Sequence, residues 1–263
     1  MRPGYNQSAF GLADGSVRLW EYDSGREIDT FCAHTLPVEG VAFCEDGSKM
    51  VSVSRDGLMC LWDASTGRLL SGVHAAVHPE LNPRASLLVS LSPDGRLMAV
   101  PNMVAHELRF HRTADGVLAY TVDLASLNII DSFPSIRISY SPLGTYCFVH
   151  DEYGYTNSMT KSLCIRIADG QPRTFTGRFA CASPDETRLI AFGLDGSMRL
   201  LDIETLTEVF RIGPFGSYYP QARFTGYGDA ISVLTENRAI TLDGRSWPIR
   251  HSENVKINKS PPH

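Results

Sequence analysis

The sequence predicts an all-β protein built from repeated units, and three observations lead to this prediction. The segment AFGLADGSVRLW at residues 9–20 is written again, nearly unchanged, as AFGLDGSMRLL at residues 191–201. Short β-type runs closed by Gly/Asp/Pro turns follow one another along the chain, while helical periodicities are few. Two kinds of turn also recur in alternation, which indicates that each unit contains the same hairpins.

The two kinds of turn define the units. The first kind reads EDGS at 45–48, PDGR at 93–96, PLGT at 142–145 and PDET at 184–187. The second kind reads DSGRE at 23–27, STGRL at 65–69, TADGV at 113–117 and IADGQ at 167–171. Between the two turns lies a pair of strands, as in KMVSVSRDGLMCLWD at 49–63. Each unit is therefore predicted to contain four strands joined by hairpins.

Composition restricts the classes of function. The net charge of −5 and the pI of about 5.9 give no electrostatic footprint for nucleic acid. No apolar run reaches transmembrane length, and the N-terminus MRPGYNQSAF contains no apolar signal segment. Six scattered cysteines form no CxxC pair, and most lie in apolar runs where cysteine acts as a small buried hydrophobe. We therefore expect a reduced, cytoplasmic protein with no cofactor, no metal, and no nucleic-acid or membrane partner.

One unit carries a family resemblance. Residues 33–63, AHTLPVEGVAFCEDGSKMVSVSRDGLMCLWD, resemble the WD40 repeat without a gap. The positions that match the family's Trp follow from the second kind of turn, with a sixth near Thr241; they are Trp20, Trp62, His111, Ile165 and Leu201. Their spacing lies close to the roughly 40–45 residues of a four-stranded WD40 blade. The resemblance implies a β-propeller of WD40 type with about six four-stranded blades, the first incomplete at the N-terminus.

Blade boundaries follow from this alignment. The propeller is predicted to span 1–252, with blades at about 1–34, 35–77, 78–124, 125–177, 178–213 and 214–252, followed by a tail at 253–263. A propeller has to close, because an open blade exposes a strand edge. The tail segment NVKIN at 254–258 is one candidate for the strand that the first blade lacks. The favoured alternative is an atypical start or a chain that is the C-terminal part of a longer protein, whose upstream residues supply that strand, a seventh blade or further domains.

The resemblance also implies a structural tetrad in the second blade, made of His34, Ser52, Asp56 and Trp62. In the family these side chains form a hydrogen-bonded chain that ties three strands and a loop. A Ser, a His and an Asp also describe a hydrolase triad. The structural interpretation is favoured, because the spacing fits the repeat and no strained GxSxG elbow is present.

The other blades keep only part of the motif. The first blade retains Asp14 and Trp20 but carries Phe10 where the serine would be. The fifth retains Asp195 and Asp202, with Leu201 in place of the Trp. The third, fourth and sixth blades lack the tetrad.

Length changes between blades fall on one face of the predicted propeller. The segments 74–88, 124–136 and 150–161 are extended, and 176–179 is shortened. Such one-sided irregularity is typical of a binding face in repeat proteins. The candidate partner-binding residues on it are Asp151, Glu152, Tyr153, Tyr155, Tyr218 and Tyr219.

The function predicted from these features is a non-enzymatic scaffold that binds protein partners through its irregular loops. The alternative is a propeller enzyme or a small-ligand binder that uses the mouth of the central channel. That alternative requires histidines, carboxylates or a metal converging from three or more blades. The sequence offers no such set, so no catalytic residue is predicted.

Overall fold

The computed structural model describes residues 1–44, 46–74, 89–102, 105–127, 136–151, 161–215, 220–225, 228, 230–235 and 238–243. These residues form strands, turns and links between them, and they contain no helix. Within these ranges there is accordingly no helix long and apolar enough to cross a membrane. The all-β prediction is confirmed, and the closing strand proposed at 254–258 lies outside the described residues.

The chain divides into two compact units, Met1–Tyr140 with Ala168–Gln171, and Ser141–Ile167 with Pro172–His263. The first unit contains strands β1 (Gln7–Gly11), β2 (Ser16–Glu21), β3 (Glu27–Cys32), β4 (Val38–Phe43), β5 (Lys49–Ser54), β6 (Leu58–Asp63), β7 (Leu69–His74), β8 (Ser90–Leu91), β9 (Leu97–Asn102), β10 (Glu107–Arg112), β11 (Leu118–Asp123) and β12 (Ile136–Tyr140). The second contains β13 (Tyr146–Asp151), β14 (Lys161–Arg166), β15 (Pro172–Thr176), β16 (Arg178–Ala182), β17 (Arg188–Phe192), β18 (Met198–Asp202), β19 (Glu208–Ile212), β20 (Gln221–Thr225), β21 (Ala230–Thr235) and β22 (Arg238–Asp243).

Strands pair antiparallel with their neighbours in the chain. In the first unit these pairs build a first sheet, β1-β2-β3, a second, β4-β5-β6-β7, and a third, β8-β9-β10-β11. The second unit holds β13-β14-β15 of the fourth sheet, the fifth sheet, β16-β17-β18-β19, and the sixth, β20-β21-β22. Short hairpins between sequential strands produce this order, because they allow neighbours in the chain to become neighbours in a sheet.

Register places the predicted Trp-equivalent residues at one common position. Each is the cross-strand partner of the residue seven positions later: Trp20 of Glu27, Trp62 of Leu69, His111 of Leu118, Ile165 of Pro172 and Leu201 of Glu208. A β-bulge lies beside four of them, and β15, which lacks the bulge, begins with Pro172. Bulges and proline both protect the exposed edge of an outer strand from pairing with another chain.

The sixth sheet shifts its predicted position by one residue. Thr241 is exposed, whereas Leu242 is buried and pairs with Ile231. Leu242 is therefore the equivalent of Leu201, which pairs with Leu189 in the fifth sheet.

The apolar core lies between successive sheets. In the first unit, Val17 and Phe31 of the first sheet pack with Met50 and Trp62 of the second. The rings of Phe31 and Trp62 meet edge to face with centroids 5.4 Å apart. In the second unit, Phe148 stacks on Phe179 at 4.0 Å between the fourth and fifth sheets. Sheets held on both faces in this way are rigid supports for the loops at their ends.

Candidate functional site

The second sheet brings the four predicted tetrad residues together. Trp62 Nε1 on β6 donates to Ser52 Oγ on β5 at 2.9 Å. His34 Nε2, in the link before β4, lies 2.7 Å from the same hydroxyl oxygen. His34 Nδ1 is 3.4 Å from Asp56 Oδ2 in the turn between β5 and β6. The indole N–H can only donate, so the Ser52 proton is available to His34 Nε2, which leaves the Nδ1 proton facing Asp56.

Asp56 also closes its own turn and fixes the link. Its carboxylate accepts the backbone N–H of Leu58 at 2.9 Å and that of Thr35 at 2.8 Å. Burial raises the pKa of Asp56, but these two N–H donors and the charge of His34 outweigh burial, so the pKa is lowered. Burial lowers the pKa of His34, and the charge of Asp56 opposes this only in part. At neutral pH the site therefore holds a neutral imidazole beside a carboxylate.

The burial of these residues decides between a structural and a catalytic role for them. Ser52 is 0 % exposed, and the side chains of His34 and Asp56 are 0 % and 7 % exposed. A nucleophilic serine needs space for a substrate carbonyl beside its oxygen. The Ser52 oxygen is instead enclosed by Trp62 and His34, so these residues join the link, β5 and β6 and do not form a hydrolase site.

In the first and fifth sheets the motif aspartates, Asp14 and Asp195, bond to a serine two residues later and not to a link before the sheet. Asp14 Oδ1 accepts the N–H and the hydroxyl of Ser16 at 2.9 and 2.6 Å. Asp195 Oδ1 does the same with Ser197 at 3.0 and 2.6 Å. The sequence holds the signal for this difference: both read Asp-Gly-Ser, while the turn of Asp56 reads Asp-Gly-Leu. A serine two residues later satisfies the aspartate locally, with no histidine required.

Asp202, at the Asp of the family's Trp-Asp pair, supports the turn after β18. Its Oδ1 accepts the backbone N–H groups of Glu204 and Thr205 at 3.1 and 3.0 Å, and its Oδ2 accepts from Arg188 at 2.6 Å. Trp20, which occupies the family's Trp position in the first sheet, is half-buried in β2, where its cross-strand neighbours are Ser8 and Glu27.

The two ends of the sheets differ in the lengths of their connections. We call one end the regular end, because every turn there has five residues between strand bounds except the four-residue 226–229. The other turns between first and second strands are 44–48, 92–96, 141–145 and 183–187. Those between third and fourth strands are 22–26, 64–68, 113–117, 167–171 and 203–207. At the other end, here the variable end, the links between sheets are 33–37, 75–89, 124–135, 177 and 213–220. The turns between second and third strands at the variable end are 12–15, 55–57, 103–106, 152–160, 193–197 and 236–237. Connections at the variable end thus run from one residue to fifteen.

The predicted partner-binding residues all belong to the variable end. Glu152, Tyr153, Tyr155, Tyr218 and Tyr219 lie outside the described residues, and of Asp151 only the backbone is described, as the last residue of β13. Their role in binding stays a prediction.

Three exposed apolar residues are features that the sequence analysis missed. Leu36 in the link 33–37 is 47 % exposed, Leu194 in the turn 193–197 is 65 % exposed, and Phe10 on β1 is 55 % exposed. Leu36 and Leu194 belong to the variable end, where apolar side chains can contact a partner. The sequence analysis placed Phe10 at the serine position of the first blade, but no signal marked its exposure, because an aromatic residue in a strand is ordinarily expected to face the core. Among the described residues no three His, Cys, Asp or Glu side chains are grouped as metal ligands.

Comparison with known proteins agrees with this architecture. Residues 25–63 match the family model WD40, described as "WD domain, G-beta repeat". The chain is 22 % identical over 238 residues to "Retinoblastoma-binding-like protein E" of Dictyostelium discoideum, which covers 84 % of this chain and 42 % of the relative. It is 30 % identical over 127 residues to "Retinoblastoma-binding protein 5 homolog" of Drosophila melanogaster, covering 48 % of this chain and 24 % of the relative. The chain thus spans less than half the length of these curated relatives.

Two solved structures superimpose on this chain. The β-propeller domain of Myceliophteria thermophila Cps50 (Swd1) superimposes with a TM-score of 0.54 at 14 % identity, over 98 % of this chain and 84 % of that one. A chain of the Mitotic Checkpoint Complex superimposes with a TM-score of 0.56 at 13 % identity, over 88 % of this chain and 68 % of that one. Together with the repeated four-stranded sheets, these likenesses show the β-propeller fold, and residues 25–63 carry a match to the WD40 repeat.

Proposed function

We propose that this chain is a WD40-repeat protein that acts as a non-enzymatic scaffold and binds protein partners through the variable end of its sheets. The observation that carries the proposal is the contrast between the two ends. Turns at the regular end keep a nearly constant length, as the folding of each sheet requires. The connections at the variable end differ in length, while the strands keep their register. Loops that are free to vary on a fixed support are where repeat proteins carry their binding residues.

The described residues give this support its physical basis. Asp56 and Ser52 tie the link before β4 to the second sheet through Thr35 and His34. Ser54 Oγ donates to the Leu36 carbonyl at 2.8 Å, which fixes the backbone below the exposed Leu36 side chain. A loop that is already ordered loses less conformational entropy when a partner binds. Leu36 is therefore presented at little entropic cost.

The relatives support a protein as the partner. Two of them are named as retinoblastoma-binding, and one structural neighbour is part of a Mitotic Checkpoint Complex. The net charge of −5 also favours a protein partner over nucleic acid. A cytoplasmic location belongs to the same proposal, and it is supported by the six free cysteines, since reduced thiols are typical of that compartment.

A quantitative pull-down from lysate of the source cells tests the proposal. One variant carries Tyr153→Ala, Tyr155→Ala and Tyr218→Ala, and a second carries Leu36→Ser and Leu194→Ser, all at the variable end. The matched control carries Arg68→Ala and Arg96→Ala, two exposed residues at the regular end. Thermal melts establish that each variant is folded.

We expect both variable-end variants to lose partners that the wild type and the control retain. A partner lost only from the control would place binding at the regular end and overturn the proposal. If all four proteins retain the same partners, the variable end does not bind them and the proposal is wrong.

A further inference from the structure

Arg2 is buried, at 4 % exposed, and it is the only buried arginine among the side chains that the structure describes. Its Nε donates to the Gly47 carbonyl at 2.7 Å, and its two terminal nitrogens donate to Gln7 Oε1 and Ser65 Oγ, each at 2.8 Å. The guanidinium carbon also lies 3.9 Å from the centre of the Tyr5 ring. All three hydrogen-bond acceptors are neutral, so the positive charge of Arg2 is buried against neutral groups.

More exposed arginines of the chain pair with carboxylates. Arg188 lies 2.6 Å from Asp202 and Arg199 lies 2.6 Å from Glu208, although both arginines are only partly buried. Within the described ranges no carboxylate forms an ion pair with Arg2. Arginine stays protonated in proteins, and a buried charge is costly without an opposite charge beside it. The surroundings of Arg2 therefore favour an added negative charge.

The repeat places a carboxylate at the position of Ser65 in two other sheets. Ser65 lies three residues after the Trp equivalent, and the same position holds Asp23 in the first sheet and Glu204 in the fifth. The turns of Ser65 and Glu204 are built alike, because an aspartate two residues earlier accepts the backbone N–H of each, at 2.9 and 3.1 Å. Glu204 Oε1 lies 3.4 Å from Arg166 of the preceding sheet. Ser65 likewise contacts an arginine that precedes its own sheet, but its hydroxyl is neutral.

A phosphoryl group on Ser65 would supply the negative charge. Ser65 is exposed in the turn 64–68, so its hydroxyl is accessible to an enzyme. Phosphoserine carries a charge of about −1.5 to −2 at neutral pH and three acceptor oxygens. Its hydrogen bonds with Arg2 would be charge-assisted and about twice as strong as neutral ones. The Asp63 carboxylate opposes the added charge, while Arg68 in the same turn favours it.

We propose that Ser65 is a phosphorylation site, and that Arg2 binds the phosphoryl group and so holds the turn before β1 more firmly to the second sheet. The Ser65 oxygen forms a bond to the terminal phosphorus of a nucleoside triphosphate, and the bond from that phosphorus to the leaving diphosphate breaks. The hydroxyl proton passes to a base of the protein kinase. Ser65 lies at the regular end, so this modification is independent of partner binding at the variable end.

Thermal melts of the full chain with phosphoserine incorporated at Ser65 during translation test the proposal. We expect the modified chain to melt about 2–4 °C above the unmodified one. In the Arg2→Gln variant the same modification should give no such rise, whereas Arg2→Lys keeps the charge and should retain part of it. Phosphoserine at Ser24, which is exposed and bonded to Glu21, is the matched control and should not stabilise the fold.

The pKa of the phosphoryl group gives a readout that a merely structural role of Arg2 would not move. The second pKa of phosphoserine is about 6, and a neighbouring guanidinium lowers it by favouring the dianion. Titration by ³¹P NMR should therefore give a lower pKa at Ser65 than at Ser24, and Arg2→Gln should remove the difference. Mass spectrometry of the protein from source cells treated with a phosphatase inhibitor should find the phosphoryl group on Ser65.

Four results would overturn the proposal. Equal pKa values at Ser65 and Ser24 would show that Arg2 does not bind the phosphoryl group. Detection of the Ser65 peptide only in unmodified form would show that the site is not used. An equal rise in melting temperature of the unmodified chain with inorganic phosphate would make a free anion the ligand. Glu45 lies outside the described residues, and an Arg2-dependent loss of stability in Glu45→Gln would mean that Arg2 is already paired.

Discussion

The second and the fifth sheets fill the same two buried positions with different side chains, which are hydrogen-bonded in the second sheet and apolar in the fifth. In the second sheet Ser52 and Trp62 are joined by a hydrogen bond, and His34 lies within hydrogen-bond distance of the same serine hydroxyl. In the fifth sheet the equivalent positions are Ala191 and Leu201, with no polar side chain at either. All four residues are 0–3 % exposed. The repeat therefore fixes strand register and burial at these positions but not whether the contact is polar or apolar.

The two solutions differ in how they fail. An apolar contact loses stability in proportion to the volume removed. When one member of a buried polar network is removed, donors or acceptors are left without hydrogen-bond partners. Each of them costs free energy, because it is buried away from the water that would otherwise bond to it. Substitutions that exchange residue types between the two sheets can therefore distinguish the loss of apolar packing from the loss of hydrogen bonds.

The largest effect is expected in the fifth sheet. Leu201→Ala should lower the free energy of unfolding by about 2–5 kcal/mol, because Leu201 is 1 % exposed and packs in the cluster with Phe148 and Leu189. Urea denaturation measures this change. Leu194→Ala, at an exposed leucine of the same sheet, is the matched control and should change the free energy by less than about 0.5 kcal/mol. A loss below about 1 kcal/mol at Leu201 would mean that this position can collapse without a cavity.

A reciprocal exchange tests the polar sheet. Ser52→Ala should cost about 2–4 kcal/mol, because it leaves the Trp62 indole N–H and His34 Nε2 buried without a partner. Ala191→Ser places a hydroxyl in the apolar counterpart position, and we expect a cost of about 1–3 kcal/mol. Both are measured by chemical denaturation. If Ser52→Ala is neutral while Ala191→Ser is destabilising, the tetrad hydrogen bonds contribute nothing beyond shape.

Acid should weaken the second sheet before the fifth. The folded-state pKa of His34 is lowered by burial, while the unfolded chain protonates near the usual value of about 6.5. Between these two pKa values the unfolded state binds the extra proton, so stability falls as pH drops below about 6.5 and stops falling below the folded-state pKa. Denaturation at pH 7.5, 6.5 and 5.5 should show this loss. His34→Asn removes the titrating group, and an unchanged pH slope in that variant would assign the loss to other residues.

The sequence could predict register well because the turns at the regular end have nearly constant length. Counting from those turns placed Trp20, His111 and Leu201 at one structural position despite their different side chains. The sixth position was predicted near Thr241 from spacing alone, with no turn motif to anchor it, and the buried residue is Leu242.

The tetrad residues and Phe10 mark the limit of what the sequence can predict. His34, Ser52, Asp56 and Trp62 lie within one sheet and its link, so a local motif specifies their meeting. The exposure of Phe10 depends on what packs against its face of β1, opposite to the face of Ala9, and the residues of β1 itself contain no information about that neighbour. The partner-binding candidates are likewise in segments whose conformation strand periodicity does not determine.

The smallest expected effect concerns the first turn of the fifth sheet, where a non-glycine residue takes a glycine conformation. Glu186 has φ 55°, while its equivalents in the second and third sheets are Gly47 and Gly95 with φ 66° and 68°. Such a backbone costs a residue with a Cβ about 1 kcal/mol. Glu186 Oε1 compensates by accepting the Leu143 N–H at 2.7 Å.

Two substitutions at Glu186 separate the backbone from the hydrogen bond. Glu186→Gly relieves the backbone and removes the acceptor, so the two effects should nearly cancel, to within about 1 kcal/mol. Glu186→Ala keeps the backbone cost and also loses the acceptor, and should be less stable than Glu186→Gly by about 1 kcal/mol in chemical denaturation. Gly25→Ala is the control for backbone cost alone, because φ there is 64° and an added Cβ meets nothing within 4 Å. Equal stability of the Gly and Ala variants at 186 would show that this turn relaxes to accommodate a side chain, and that the glycines of the other sheets are not required by backbone conformation.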